Sequence, residues 1–595
     1  MADNSGVIEQ FLGDETFPIE WESEEEKKLF WFFDDLHCPQ PLSPMYFDIG
    51  GWWLTCDHMF RRFGTPFAVD WIAKNVNGYL YTAAIPADPD VRVDAMEYGY
   101  RYVPRVPKDD PDFASEMGAY LNAVLPVYGL NFADWWENRL VPEMKRNFAY
   151  LEEKIDDWQN IPLMEWATIL EDAIDIHDRH WKIHWMLNFA QLSATLNLEA
   201  TLREVKGDVD PDLLGRLQNS AKDRNWDSIE ALWTMKEEIV ADEELSAIFA
   251  RETGVDVMAA LEASERGRRF IDERLRPYQR EFGWHAVWSH EFIFPTRFER
   301  PEPILEVIKG YIETDYDYPA RVEELRKDIE EASRKLLEGL EGEPLERLRA
   351  ANEINLKMAP LTPDHHFYID QGTNAHLRVV LICIGKKLVV DGHLDEPDDV
   401  IYLRYNELRR FMADPANFDA RSVVSQRKDE REEAYDIRPR DWIGTATEAA
   451  LSFPYLGLWG FPERLYMEQP EAEDQVNGLA ASPGVVTGTA KVVLSVDEFD
   501  QVEKGDILVC QMTNPAWVVL FTKISGLVTD AGGTASHPAV LAREFGIPAV
   551  IGTSVATSRI KSGDKLRVNG ATGVVEVLSA EHEEREVPTS DLFTT

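Results

Sequence analysis

Tryptophan divides this chain unevenly: seventeen of its eighteen Trp residues precede position 470, and only Trp517 lies beyond it. Charge divides the same way. Of the formal net charge of −46, residues 1–475 carry −41, residues 476–578 carry −1 and residues 579–595 carry −4. Between the two compositions runs Met467 to Gln475, with Pro470, four acidic side chains and no aliphatic core former after Met467 except Ala472. Such a segment is solvated and self-repelling, so a flexible linker is predicted at 467–475. No internal period repeats. The expectation is two unlike bodies, 18–466 and 476–578, with a polar tail at 579–595 and the smaller body free to swing on one tether.

Apolar residues recur at helical spacing on charged faces over 138–160, 167–198, 227–249 and 319–357, which predicts a mainly α-helical first body. Residues 18–105 are mixed, with short apolar pieces such as Gly78-Tyr79-Leu80-Tyr81. The second body is α/β in pattern. Short β-branched runs bounded by Gly, Asp or Ser predict strands at 489–494, 506–509, 526–529, 549–551, 565–568 and 573–577, with helices at 517–524 and 538–545.

The acidic balance argues against nucleic acid and anionic membrane surfaces as partners. Four dispersed cysteines without a CxxC pair fit neither a disulfide scaffold nor a thiolate metal site. The start Met1-Ala2-Asp3-Asn4 lacks a basic n-region, and no apolar run reaches the ~18 residues of a membrane span, so a cytoplasmic protein is expected.

The chemistry is clearest from Gly526 to Arg543, GLVTDAGGTASHPAVLAR. A strand runs into paired glycines, whose missing side chains allow close approach of backbone to a ligand. A helix then opens at Pro538, which loses nothing by lacking an N–H there. His537 is thereby placed at the positive end of a helix, where a neutral, nucleophilic imidazole is favoured and a phosphoryl group on it would meet backbone amides. A histidine that merely caps the helix is the plain alternative. The order strand, glycines, His, Pro, helix is the order phosphoryl capture requires.

This stretch resembles the phosphohistidine swivelling domain of the phosphoenolpyruvate-utilising enzymes. The resemblance rests on Gly532, Gly533, Ser536, His537, Ala539, Val540, Leu541, Ala542 and Arg543, and extends over Ala481-Ser482-Pro483-Gly484, Gly505–Val509 and Gly546–Gly552. It implies His537 as the phosphorylated residue, with Gly532, Gly533, Ser536 and Arg543 around the phosphate. Ala535 departs from the family, which commonly has Thr there.

A second resemblance is to rifampicin phosphotransferase. It is carried by Pro41–Met45, Val76–Tyr81, His290-Glu291-Phe292 with Pro295, Ile384–Leu388 through Gly392, and Asp395–Val400. Thr513-Asn514-Pro515-Ala516-Trp517 follows that branch and implies Asn514 as a further phosphate contact. No Walker sequence, Gly-rich nucleotide loop or ATP-grasp opening occurs, and no phosphoenolpyruvate barrel is expected in seventeen residues after Leu578. The pattern resembles two-component relatives, phenylphosphate synthase and the similar enzyme acting on 4-methylphenol. It implies ATP and Mg²⁺ on a separate ATP-grasp subunit.

Acceptor-site candidates come from the first body. His177, His180 and His184 share one face of a helix with Trp181 and Trp185 nearby. Hydrogen-bonded histidines on an amphipathic helix account for them first and a pocket wall second; a metal site, lacking a carboxylate signature, comes last, and none is assigned. His285 and His290 repeat the pairing of imidazole with Trp284 and Trp288. Arg378 interrupts an apolar run, where a guanidinium needs either an incoming phosphate or a buried carboxylate. Asp364-His365-His366 is a weaker candidate. Walls of Trp and Phe suit a flat aromatic acceptor with one hydroxyl, of phenol or 4-methylphenol type. The alternatives are another hydroxyl acceptor, such as an antibiotic or an alcohol, and a phosphocarrier or regulatory module without small-molecule turnover.

Overall fold

The computed structural model describes residues 8–10, 17–56, 58, 68–86, 123–124, 127–207, 211–451, 453–470, 472, 474–494, 496–513, 517–521, 523–534 and 536–579. It divides into two compact units. Residues 7–33 with 40–446 form one; residues 34–39 with the chain from Thr447 onward form the other.

The larger unit is mainly helical, as its periodicity predicts. Its longest helix, Leu163–Lys206, has 44 residues without an internal Gly or Pro, about 66 Å at 1.5 Å per residue. Pro162 starts it in an extended conformation and Gly207 ends it at φ +82°. Its middle is buried nearly all round, from His177 through Phe189, because the helix Asn374–Val390 and the turns His366–Thr373 and Trp52–Thr55 pack against it, while Gly342–Met358 packs around Leu198 and Leu202 further on. Two single helices expected from spacing are each divided, into Arg224–Ala241 and Glu243–Phe249, and into Tyr318–Leu337 and Gly342–Met358. Asp242 caps the second of these with its side chain, which restarts the helix.

The mixed N-terminal region contributes to an antiparallel sheet of order β1-β5-β2-β4-β3, with β1 Ile8–Gln10, β2 Phe30–Phe33, β3 Ala68–Val76, β4 Tyr79–Pro86 and β5 Trp442–Ala446. β3 and β4 form a hairpin closed by Asn77 at φ +52° and Gly78 at φ +89°.

The smaller unit holds an eight-stranded sheet of order β6-β13-β12-β8-β9-β10-β11-β7. These strands are β6 Gln475–Asn477, β7 Leu479–Ser482, β8 Val485–Val492, β9 Ile507–Cys510, β10 Gly526–Thr529, β11 Ala549–Ile551, β12 Lys565–Asn569 and β13 Val574–Ser579. β8 to β11 run parallel at the centre, with antiparallel strands on both flanks. Alternate residues feed two cores: Leu508, Cys510, Leu527, Ala549 and Ile551 on one face, Ile507, Val509, Val528 and Val550 on the other. Both faces being covered explains why these strands read as continuous apolar runs.

The unit boundary falls at Thr447, upstream of the linker expected at 467–475. Gln469 Nε2 donates to the carbonyls of Asn477 at 2.8 Å and Thr553 at 2.9 Å, and its Oε1 accepts from Asn477 N at 2.9 Å. Arg559 Nη1 donates to the Pro470 carbonyl at 2.9 Å. A segment with almost no core former is thus held by polar side chains that complete exposed backbone groups, which composition does not reveal.

Candidate active site

In the smaller unit β10 ends inside the parallel part of the sheet, so the loop after Thr529 emerges at the carboxyl edge, where open α/β sheets bind ligands. The loop is braced from within. Asp530 is half-buried, desolvation pushes its carboxyl pKa up, and it accepts from Thr553 Oγ1 at 3.0 Å, Thr557 N at 3.2 Å and Thr557 Oγ1. Thr553 N donates to the Thr529 carbonyl at 3.0 Å, and Thr553 Oγ1 lies 3.1 Å from the same oxygen.

The two glycines have separate reasons. Gly532 has φ +99°, and a Cβ on it would come within 2.7 Å of Ser536 Oγ. Gly533 lies against the chain's own turn at 457–460: its N–H donates to the Leu458 carbonyl at 2.7 Å, and a Cβ would overlap the Gly457 carbonyl oxygen. The close approach expected for a ligand is, at Gly533, an approach to backbone.

Ser536 is the N-cap of the helix His537–Glu544, which starts one residue earlier than predicted, with Pro538 in its first turn. Ser536 Oγ is buried, makes no capping bond and has no hydrogen-bond partner. Arg543 Nη1 donates to the carbonyls of Ala481 and Thr534, both at 2.9 Å, tying the helix to β7 and to the loop before it. Asn514 lies outside the described residues, as does Ala535.

In the larger unit the acceptor-site candidates part company. Arg378 is buried and saturated: Nε and Nη2 donate to the two carboxylate oxygens of Glu299, each at 3.0 Å, Nη2 also to Asp398 at 2.7 Å, and Nη1 to the Phe292 carbonyl. Of the two readings open for this arginine, the structural ion pair is the one present.

His177 Nε2 faces the Gly50 carbonyl at 3.2 Å and Asn374 Oδ1 at 3.0 Å. His180 bridges Asn147 at 3.0 Å and Thr373 Oγ1 at 2.7 Å, and burial holds its pKa well below the usual imidazole value. His290 Nδ1 is 3.1 Å from the Tyr46 hydroxyl, and its ring centroid is 5.9 Å from that of Trp181. Burial pushes His285 down to about 3, with Arg297 adding to the effect; its Nε2 is buried without a partner beside Phe367.

Sequence reasoning missed Asp370 as a hub. The segment His366–Thr373 is a π-helix, whose wider turn brings residues four and five apart onto one face. His365 and His366 therefore both face Asp370, and His184 reaches it from the long helix. Burial pushes the Asp370 carboxyl up, but the imidazoles of His366, His184 and His365 outweigh it and hold the group well below the carboxylate range. The motif pieces Ser43 and Glu291, 248 residues apart, also meet: the Glu291 carboxylate accepts from Ser43 N at 2.6 Å. Gly385 does likewise with its motif partner, since a Cβ there would overlap the Pro397 carbonyl.

Strands β9 to β12 and the Gly-Gly-to-helix loop of the smaller unit fall within a stretch that matches a known family. Residues 502–573 match the family described as PEP-utilising enzyme, mobile domain, and residues 184–358 match the rifampicin phosphotransferase fourth domain. Among curated relatives, an uncharacterized phosphotransferase, YvkC, of Bacillus subtilis (strain 168) is 29% identical over 397 residues, 67% of this chain and 47% of that protein. Chondramide synthase cmdD of Chondromyces crocatus is 26% identical over 593 residues, 94% of this chain and 14% of that protein. A rifampicin phosphotransferase of Streptomyces sviceus is 30% identical over 319 residues, 52% of this chain and 34% of that protein. The chain spans less than half the length of each of these relatives. Among the described residues no helix is long and apolar enough to cross a membrane.

Proposed function

We propose that this chain is the phosphohistidine-carrying, acceptor-binding component of an ATP-dependent phosphotransferase. An ATP-grasp subunit, binding ATP and Mg²⁺, phosphorylates His537; the phosphohistidine then passes its phosphoryl group to the hydroxyl of a small aromatic compound of phenol or 4-methylphenol type. The observation that carries the reading is the histidine loop: a braced carboxyl-edge turn leads into the helix that His537 opens, with the buried, unpartnered Ser536 hydroxyl beside it. A phosphoryl group at that place gains a hydroxyl donor, the helix dipole and the first-turn amides. Covalent relay splits one transfer into two displacements whose sites need not coexist. Each moves phosphorus in line: a P–N bond to the imidazole forms as a P–O bond of ATP breaks and the nucleotide leaves, and a P–O bond to the acceptor then forms as the P–N bond breaks, the acceptor's proton going to a base.

The names of the relatives support phosphoryl transfer. The match of residues 184–358 to a rifampicin phosphotransferase domain favours a second reading, a bulkier hydroxylated acceptor such as an antibiotic. Intact-mass measurement under mildly alkaline conditions tests the relay, with wild type and His537→Ala incubated with Mg-ATP, with and without extract of the source organism. One added phosphate that needs the extract and is missing in His537→Ala is the expected result. Phosphate from ATP alone overturns the separate subunit, and no phosphate at His537 overturns the function. Discharge of the phosphorylated chain by phenols or by rifampicin then decides between the acceptors.

A further inference from the structure

We infer that His184, His365 and Asp370 form a binding site for a divalent transition-metal ion, zinc in its preferences, inside the larger unit. All three are buried, and their candidate ligand atoms lie within 4.8 Å of one another. His184 Nδ1 is 3.6 Å from Asp370 Oδ1 and His365 Nε2 is 3.6 Å from Asp370 Oδ2. Both separations are too long for hydrogen bonds. They are close to the ligand–ligand edge of a tetrahedral zinc site, about 3.3 Å for bonds of 2.0–2.1 Å.

The outward nitrogens are held as metal-bound histidines are held. His365 Nδ1 donates to the Leu361 carbonyl at 3.2 Å, which fixes the tautomer and leaves the Nε2 lone pair facing the carboxylate. Two electron-rich atoms facing each other in a buried place call for a cation between them. His184 Nε2 is 2.8 Å from Asn188 Nδ2; with the amide turned over, its oxygen takes that place and accepts the Nε2 proton. His366 Nδ1 holds Asp370 Oδ2 from the exposed side, fixing the carboxylate as outer partners of metal ligands do. The π-helical turn at His366–Thr373 is what brings these groups together, and such turns recur at functional sites. Two nitrogens and one oxygen leave a fourth position for water or a ligand hydroxyl. The inference does not rest on phosphoryl transfer at His537.

The test uses the full chain without an affinity tag, stripped with a chelator and titrated with Zn²⁺ in excess Mg²⁺ against a chromophoric competitor. One equivalent bound by wild type, weakened at least ~10-fold in His184→Gln and in Asp370→Asn, is expected. Equal binding by the variants, or no stoichiometric binding by wild type, overturns the site. Should the variants not fold, the Co²⁺-loaded wild type decides. A four-coordinate ligand-field spectrum, with magnetic-resonance couplings to two imidazole nitrogens, supports the site, and six-coordinate oxygen ligation overturns it.

Discussion

Replacing Arg378 by methionine separates a buried ion-pair strut from a phosphate contact. The guanidinium is 3% exposed and commits its donors to Glu299, Asp398 and the Phe292 carbonyl. Methionine fills much of the aliphatic volume but leaves Glu299, 17% exposed, without its counter-charge. Removing one partner of a buried pair costs about 3–5 kcal/mol, while the half-exposed Asp398 finds water and adds no more than about 1 kcal/mol. Sixteen of the eighteen Trp residues belong to the larger unit, so urea unfolding followed by fluorescence reports chiefly on it. With m above ~3 kcal/mol/M for a body of this size, the midpoint should fall by about 1 M. Glu299→Gln added to Arg378→Met removes the stranded charge, and its amide oxygen still accepts from Thr296 N and Oγ1, now at 2.9 and 2.8 Å from the carboxylate. The double variant should recover more than half of the loss. An unchanged midpoint in Arg378→Met, together with lost transfer to acceptor, refutes the reasoning and returns Arg378 to the phosphate.

Gly533→Ala forces a Cβ into the Gly457 carbonyl and should cost the smaller unit about 1–3 kcal/mol. Hydrogen exchange at 530–536 should quicken, and unchanged exchange sinks the account. Ser536→Ala removes a hydroxyl that has no partner, so stability should stay within about 0.5 kcal/mol, whereas phosphorylation of His537 should slow ~10–100-fold, the worth of one charge-assisted bond. An unaltered rate removes Ser536 from the phosphate site. Asp223, cap of the helix Arg224–Ala241, is pushed by burial and by nearby Asp364 from 3.8 up to about 7, with Arg224 the adjacent cation. The native state therefore keeps this proton where the unfolded state has lost it. Stability falls as pH rises from about 4 to about 7, by roughly 2–4 kcal/mol, and is level above. Asp223→Asn caps equally well and should erase that slope in thermal melts, matching wild type at pH 4 and exceeding it at pH 8; parallel profiles exclude Asp223 as the cause.

The smaller unit was legible almost strand by strand because its signals are local. β10 and β11 match the predicted bounds, and β12 and β13 differ by one or two residues, since each is a β-branched run ended by a turn residue. β6 and β7 were missed: Gln475–Asn477 and Leu479–Ser482 are short edge pieces whose pairing is set by strands distant in sequence, Ala549–Ile551 and Val574–Ser579. The long helix showed its period, yet its buried middle runs on without a polar face because helices cover it on several sides. The same burial accounts for Arg378, whose apolar run is a covered helix and whose partner Glu299 no spacing rule connects to it.

The histidines mark the boundary of what spacing can tell. His177, His180 and His184 do share a helix face, as i, i+3, i+7 requires, but each takes a different partner: Asn374, Thr373 and Asp370. Those partners come from a second segment, the π-helical turn His366–Thr373 and the first residue of the helix after it, which no spacing rule connects to the long helix. On an ordinary helix Asp370 would share a face with His366 and turn away from His365; the π-helical turn lets it face both. The metal reading lacked a carboxylate beside the histidines of the long helix, and Asp370 supplies it from a stretch that reads in sequence as a loop after Pro363. The widened turn, not the histidine spacing, decides whether this cluster binds an ion.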